Sequence, residues 1–356
     1  MPSVPVSAGS RESRRRWLVI GGAVAVVVVV IVAYAVVFPH GSSPSMHAGA
    51  PEEIDLLPSS GTPSHCITGV PGVPRPTYPL EDGILQANTY DVPSGTTGAV
   101  GMCYDATTGA MLGYANWTHV GSAGGWFSYP QIAYGVNFWY GPYTTYTNQS
   151  SAWALPQTVG QIVNESVWFT TSYSLNAPSS TDVSGYDLSL DDYLTETVPT
   201  YFEVGPFVEV EMFLAHNISY PFQWVHWATP TLVNGAIVSV PWDVGWWCHG
   251  PTPNNGSNEN VSFDLSLDGQ ATHGIAQGVV GVNLSAVYAE VNSLMPSVTC
   301  WQGPTHGFSS FHLQEANLGS EDGALGNASY SYNWTVDDYC IHPKVSAPTS
   351  AAVECG

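Results

Sequence analysis

Two glutamates, Glu209 and Glu211, stand two residues apart in the run FVEVEMFLAH, Phe207 to His216, which otherwise has the composition of an apolar strand. Side chains alternate across a strand, so Val208, Val210, Met212 and Leu214 share one face, and Glu209, Glu211 and Phe213 share the other. The aliphatic set belongs to a core, which leaves both carboxylates facing whatever the second side lines. Glutamates on a solvent-facing strand are common, and this strand alone decides nothing. A further carboxylate, Glu321, sits at a glycine-bounded turn in NLGSEDGALGNASYSYNW, just ahead of another strand. Two carboxyl groups in different surroundings can divide the tasks of proton donor and nucleophile at a glycosidic bond, although spacing does not select the pair. The chain has 13 Trp and 19 Tyr, and Trp117, Trp126, Trp139, Tyr140, Trp224, Trp227 and Trp242 lie in or beside alternating runs. Some belong to a core, and the number would also suit a groove in which sugar rings stack on flat side chains.

The elements that must position these residues are strands. SVWFTTSYSL, GYDLSLDDY, GAIVSVPWDVGWW, VSFDLSLDG and NASYSYNWTV alternate with a period near two, are rich in β-branched and aromatic residues, and are separated by Gly, Pro, Asn and Ser clusters. Many such strands at close spacing predict an all-β fold, a sandwich, barrel or jelly roll. Around Val282 to Leu294 the apolar residues fall at three- and four-residue intervals instead, which predicts one helix packed on the sheet. No internal repeat and no second linker divide residues 64–343, so one domain is expected there.

Residues 1–16 carry four arginines and precede a run of 22 uncharged, mostly apolar residues, Trp17 to Phe38. That length crosses a bilayer, and the arginines keep its N-terminal end inside. The expectation is a transmembrane signal-anchor at 17–38; cleavage near Ala33-Tyr34-Ala35 is the alternative, and both place the remainder outside the cell. Residues 39–63, rich in Pro, Ser and Gly, read as a linker, and 344–356 as a C-terminal tail. Beyond the leader only Arg75 and Lys344 are basic, against 27 of the 28 acidic residues. Such a surface repels phosphate backbones and excludes nucleic-acid binding. Charged residues are nevertheless only 10% of the chain, and a surface of neutral polar groups suits an acidic habitat.

All six cysteines, Cys66, Cys103, Cys248, Cys300, Cys340 and Cys355, follow the apolar run, as do nine N-x-S/T sequons. An even number in an oxidising compartment suggests disulfides, and the expected pairs are Cys66 with Cys103, Cys248 with Cys300 and Cys340 with Cys355. No C-x-x-C or clustered histidine spacing points to a metal, and no cofactor is expected. Asp191-Asp192 and Asp337-Asp338 read as turn residues rather than calcium ligands. No G-x-S-x-G elbow suggests a serine hydrolase.

Several segments, in order, resemble glycoside hydrolase family 12. ILQANTYD (Ile84 to Asp91) is similar to the family's N-terminal Asn-Leu-Trp-Gly segment, and WFSYPQIAYG (Trp126 to Gly135) to its Lys-Ser-Tyr-Pro strand. LPQTVGQIVNESVWFTTSYSLNAPSSTDVSGYDLSL resembles the two strands that end in a Tyr-Asp pair, here Tyr186 and Asp187. EVEMFL is similar to the Glu-x-Met-Ile-Trp-Leu nucleophile strand, GVVGVNLSAVYAEVNSL to the single helix, and LGSEDGALGNASYSYNW to the Gly-Thr-Glu acid/base segment. The resemblance covers most of residues 64–340. It implies a concanavalin-like β-jelly-roll sandwich of two antiparallel sheets with one packed helix, following the N-terminal transmembrane helix.

Carried over residue by residue, Glu209 matches the nucleophile, Glu321 the acid/base and Asp187 the carboxylate that supports the nucleophile. Tyr90 takes the place of a sugar-stacking Trp, and Tyr129 and Pro130 match the strand beside the cleft; Asn88, Trp117, Glu211 and Phe213 complete the expected substrate-binding set. Glu211 and Phe213 depart from the family's Met and Trp, so a third acid stands near the reaction centre, and Glu211 is the alternative to Glu209 as nucleophile, motif position favouring Glu209. The implied activity is that of a retaining endo-β-1,4-glucanase acting outside the cell on a β-glucan, as a monomer. A non-catalytic glycan-binding or adhesin jelly roll is the alternative, and a glutamic peptidase pairing Glu with Gln is a second.

Overall fold

A computed structural model of the protein describes residues 54–57, 63–73, 75–90, 92–136, 149–150, 153–177, 183–196, 207–217, 225–249, 260–267, 277–298 and 307–345. Among these no helix is long and apolar enough to cross a membrane. The run at 17–38 lies outside them, as do Trp139, Tyr140, Trp224, Cys300 and Cys355.

The molecule is a jelly roll built almost wholly from strands. One sheet runs, in hydrogen-bonded order, through Ile84–Thr89, Ser128–Gly135, His312–Gly319, Val183–Thr195, Phe207–His216, Asn260–Leu267, Ala236–His249 and Val225–Val233. A second runs through His65–Gly69, Thr97–Tyr104, Met111–His119, Tyr330–His342, Trp168–Asn176 and Gln277–Asn283. Leu232 and Val233, paired with Gly281 and Val280, join the two. Among the described strands pairing is antiparallel except between Phe207–His216 and Asn260–Leu267. The sequence reading expects only antiparallel pairs; here the Val225–Val233/Ala236–His249 hairpin intervenes, and the chain returns to the sheet in the direction it left.

The expected alternation holds where it matters. Val208, Val210, Met212 and Leu214 lie in the interlayer core with Leu188, Leu190 and Leu194 of the neighbouring strand and Phe263 and Leu265 of the other. From the second sheet, Tyr330, Tyr332, Trp334 and Val336 enter the same core. Fully burying each of these side chains contributes on the order of 1.5–3 kcal/mol.

The anticipated helix forms at Leu284–Leu294, capped by the Asn283 side chain, which accepts from the Ala286 N–H at 3.1 Å. It buries Leu284, Val287, Tyr288 and Val291, and the Tyr288 hydroxyl donates to Asp192 at 2.9 Å. A shorter helix not read from the sequence, Val159–Glu165, starts at a Thr158/Gln161 capping box and packs beside it. Asp191-Asp192 and Asp337-Asp338 are strand residues rather than turn residues. Asp192 points to Tyr288 and Asp191 to the opposite face, whereas Asp337 is exposed at a pairing irregularity and Asp338 shares the face of Cys340.

The folded unit also extends past both expected boundaries. Ile54–Asp55 pairs with Ile341 and Cys340, and Leu56 is fully buried, so the end of the expected linker is part of the sandwich. Val345 exchanges hydrogen bonds with Ser166. Cys66 and Cys103, opposite one another in adjacent strands, form the expected disulfide. Cys248 and Cys340 are also disulfide-bonded; Cys300 and Cys355, the partners expected for them, lie outside the described residues.

Candidate active site

The site is carried on the face of the first sheet that turns away from the interlayer core. Register fixes its rows. Glu209 stands opposite Tyr193 on one side and Ser262 on the other; Tyr193 stands opposite Glu315. One row along, Glu211 lies between Asp191 and Asp264, and Asp191 faces Asn317. Phe213 lies between Ser189 and Ser266, and Ser189 faces Gly319. A shift in pairing at Leu188/Ser189 then sets Asp187 opposite His216.

Hydroxyl groups knit these carboxyls together. The Tyr193 hydroxyl lies between Asp191 Oδ2, at 2.5 Å, and Glu209 Oε1, at 3.0 Å. Ser262 Oγ donates to Glu209 Oε2. Ser189 Oγ lies 3.1 Å from Glu211 Oε1 and 3.3 Å from Asp187 Oδ1. The Tyr129 hydroxyl donates to Asn317 Oδ1 at 2.8 Å, with Ser189 Oγ at 3.4 Å. Tyr129 reaches them by lying across Gly319, where a Cβ would come within 2.6 Å of its ring.

The Glu321 turn closes on Asp187. The Glu321 N–H donates to Asp187 Oδ1 at 3.0 Å, the Asp187 N–H donates to the Glu321 carbonyl at 3.1 Å, and Ser320 Oγ donates to the Asp187 carbonyl. Asp322, next in the chain, accepts from the Trp117 indole at 2.8 Å and from the Tyr330 hydroxyl.

Exposure divides these acids into two sets. Asp187, Asp191 and Asp264 are 0–2% exposed, whereas Glu209, Glu211 and Glu321 keep partial access. Burial is also what moves their titration. It pushes Asp187 up to about 8, against the opposing pull of the Glu321 N–H and Ser189, and pushes Glu321 up to about 8, with the neighbouring Asp322 adding to it. Burial raises Asp322 to about 7 despite its Tyr330 and Trp117 donors. Asp191, Asp264 and Glu211 are held well above the usual carboxylate range, by burial first; the Glu209 charge is next for Asp191 and Asp264, and the Asp187 charge for Glu211. The described residues contain only Arg75 and Lys344 as fixed cations, neither in this cluster, and no group of three or more potential metal ligands.

The expected residues are therefore partly gathered and partly dispersed. Glu209, Glu211, Asp187, Tyr129 and Phe213 share the site face, and Glu321 abuts it. Asp187 supports Glu211 and the Glu321 turn, whereas Glu209 is held by Tyr193 and Ser262. Trp117 is not a stacking surface: 1% exposed, it belongs to the core and reaches the site only through Asp322. Phe213 is fully buried against the His216 ring, so it too offers no open face. Asn88 is buried and donates to Gln86 Oε1 at 3.2 Å. Tyr90 lines a separate pocket of about 480 Å³ with Pro71, Val73, Val92 and Pro93.

Sequence reasoning missed Tyr193, Ser189, Ser262, Asp191 and Asp264, and also Trp247. Trp247 is 37% exposed and stands opposite Ser262, which places an open indole beside the carboxyls. Its signal was available, since odd positions of Asp243 to His249 share a face.

The fold is a concanavalin-like jelly roll. No protein-family model matches the chain, and no curated protein matches it by sequence. Among solved structures it is similar to a family 12 xyloglucanase from Bacillus licheniformis in complex with ligand, at TM-score 0.50 and 14% identity over 78% of this chain and 99% of that one. The native form of that xyloglucanase matches at TM-score 0.50 and 13% identity, over 78% and 100%. A family 11 xylanase from Neocallimastix patriciarum matches at TM-score 0.46 and 14% identity, over 78% and 100%. At these identities the likeness is one of fold.

Proposed function

We propose that the protein is an extracellular, endo-acting β-glucan hydrolase of the retaining kind, with Glu209 as nucleophile and Glu321 as acid/base. The observation that carries this reading is the meeting of partly exposed glutamates with buried aspartates on one sheet face, beside an open indole. In a fold shared with a xyloglucanase, that combination supports a β-glucan as the substrate class.

Glu321, held protonated by burial, gives its proton to the glycosidic oxygen as that oxygen leaves with the bonding pair. A Glu209 oxygen forms the new bond to the anomeric carbon. Water then attacks that carbon, Glu321 takes its proton, and the ester bond breaks back to the Glu209 carboxylate. Asp187 fixes the Glu321 turn by accepting the Glu321 N–H on its carboxylate and donating its own N–H to the Glu321 carbonyl, and Trp247 supplies the stacking face. The apolar run at 17–38 supports tethering of a monomeric enzyme to the outer membrane face.

Two other readings fare less well. A glycan-binding domain needs the indole but not the proton-sharing acids. A Glu–Gln peptidase would need its pair accessible, and Gln131 and Glu315, 3.4 Å apart, are both fully buried. The test is proton NMR of products from soluble mixed-linkage glucan, xyloglucan and carboxymethylcellulose. New reducing ends that first appear as the β-anomer are expected. An initial α-anomer would contradict retention, and no release from any of the three would contradict the enzyme.

A further inference from the structure

The Tyr193 hydroxyl has one proton and lies within hydrogen-bonding distance of two carboxyl groups, Asp191 Oδ2 and Glu209 Oε1. If both acids were ionised, the phenol could donate to one only, and its lone pairs would face the other carboxylate across a repulsive contact. The arrangement is satisfied when one acid carries a proton: that acid donates to the phenol oxygen, and the phenol donates onward. We infer that Tyr193 is a positioning residue that makes Asp191 and Glu209 share a single proton, with the proton on Asp191 and the charge on Glu209.

The direction follows from surroundings. Asp191 is 2% exposed, so its neutral form is favoured. Glu209 keeps partial exposure and takes a second donor, Ser262, on its other oxygen, and both favour its anion. Among the described residues the other charged groups acting on this pair are acids, namely Glu211 on the Glu209 strand, Asp187 and Asp192 on the Asp191 strand, Glu315 opposite Tyr193 and Asp264 on the far side. Their raised titration agrees with a charge resting on Glu209. Ser189, between Asp187 and Glu211, repeats the same one-hydroxyl, two-carboxyl bridge.

This inference deepens the reading above and rests on it for the catalytic consequence: one oriented carboxylate stays charged in a site whose other acids are neutral. Two measurements test it apart from that reading. Carboxyl-13C NMR titration of the full chain should show Glu209 ionising below Asp191; in Tyr193→Phe the Glu209 midpoint should rise by about one pH unit, the scale of one lost hydrogen bond to a carboxylate. Asp191→Asn, whose amide mimics the protonated acid, should leave the Glu209 midpoint where the wild type has it. In activity assays Tyr193→Phe should move the acid limb of kcat upward by the same amount with KM little changed, and Asp191→Asn should not. Asp191 ionising first, or a Tyr193→Phe midpoint equal to wild type, overturns the inference. A chain with the expected titration that releases no sugar overturns only the enzymatic reading.

Discussion

At the scale of single residues, burial sets which carboxyls of the site favour the protonated form. Glu321 needs no cation to remain an acid, since burial keeps it protonated up to about 8. Activity should therefore extend across the acid range, with an alkaline limb near pH 8 that Glu321→Gln removes. Ser189 brings one hydroxyl to Glu211 and Asp187, and Trp247→Ala should raise KM for long glucans by roughly 5–150-fold, the loss of one stacked ring at ~1–3 kcal/mol by analogy with base stacking. A KM equal to wild type in that variant would remove Trp247 from the substrate path. The Glu209/Glu211 face was legible from alternation alone. The hydroxyl bridges were not, because they depend on which residues stand opposite, and those partners come from the strand at 183–195 and the parallel strand at 260–267.

At the scale of elements, register does the positioning. Irregularities at Leu188/Ser189 and Tyr193/Leu194 set which acids meet, and no local residue pattern announces them. The same limit explains the mistaken turns: a two-acid motif reads as a turn until both faces of the strand have partners, here Tyr288 for Asp192 and Tyr193 for Asp191. Gly319 is a sharper case. It lets Tyr129 lie flat across the strand, and a Cβ there would meet the ring at 2.6 Å and the Pro130 carbonyl at 2.9 Å. Gly319→Ala should cost roughly 1–3 kcal/mol, read by urea unfolding, and should disturb Tyr129 and Ser189 together. A variant as stable as wild type would show that the ring can move aside. By contrast, the Cys66–Cys103 pair and the Leu284–Leu294 helix were legible, because strand order and three-to-four spacing are local signals.

At the scale of the whole molecule, the acids make a prediction about stability. Asp187, Asp192 and Glu321 are raised to about 8 and Asp322 to about 7, from ordinary values of 3.8 for Asp and 4.5 for Glu. Between pH 4 and 8 the folded state then binds more protons than the unfolded one, so stability falls as pH rises through that window. Tm should be highest near pH 4 and decline steadily toward pH 8; a Tm that rises over this range would mean the acids are paired in some other way. The small share of charged residues, 10% of the chain, points in the same direction, because a surface made mostly of neutral polar groups changes little when its carboxylates are protonated.

The central claim is that Glu321 gives and takes the proton at a glycosidic bond attacked from the Glu209 strand. It is tested most directly by comparing wild type and Glu321→Gln on mixed-linkage glucan at pH 5, and on a cellobioside with a dinitrophenyl leaving group. The account predicts that the variant loses roughly 10²–10⁴-fold on the glucan, where the leaving oxygen needs a proton. Bond cleavage on the dinitrophenyl substrate, which needs none, should survive, with added azide speeding turnover. Equal losses on both substrates, or none on the glucan, would contradict it.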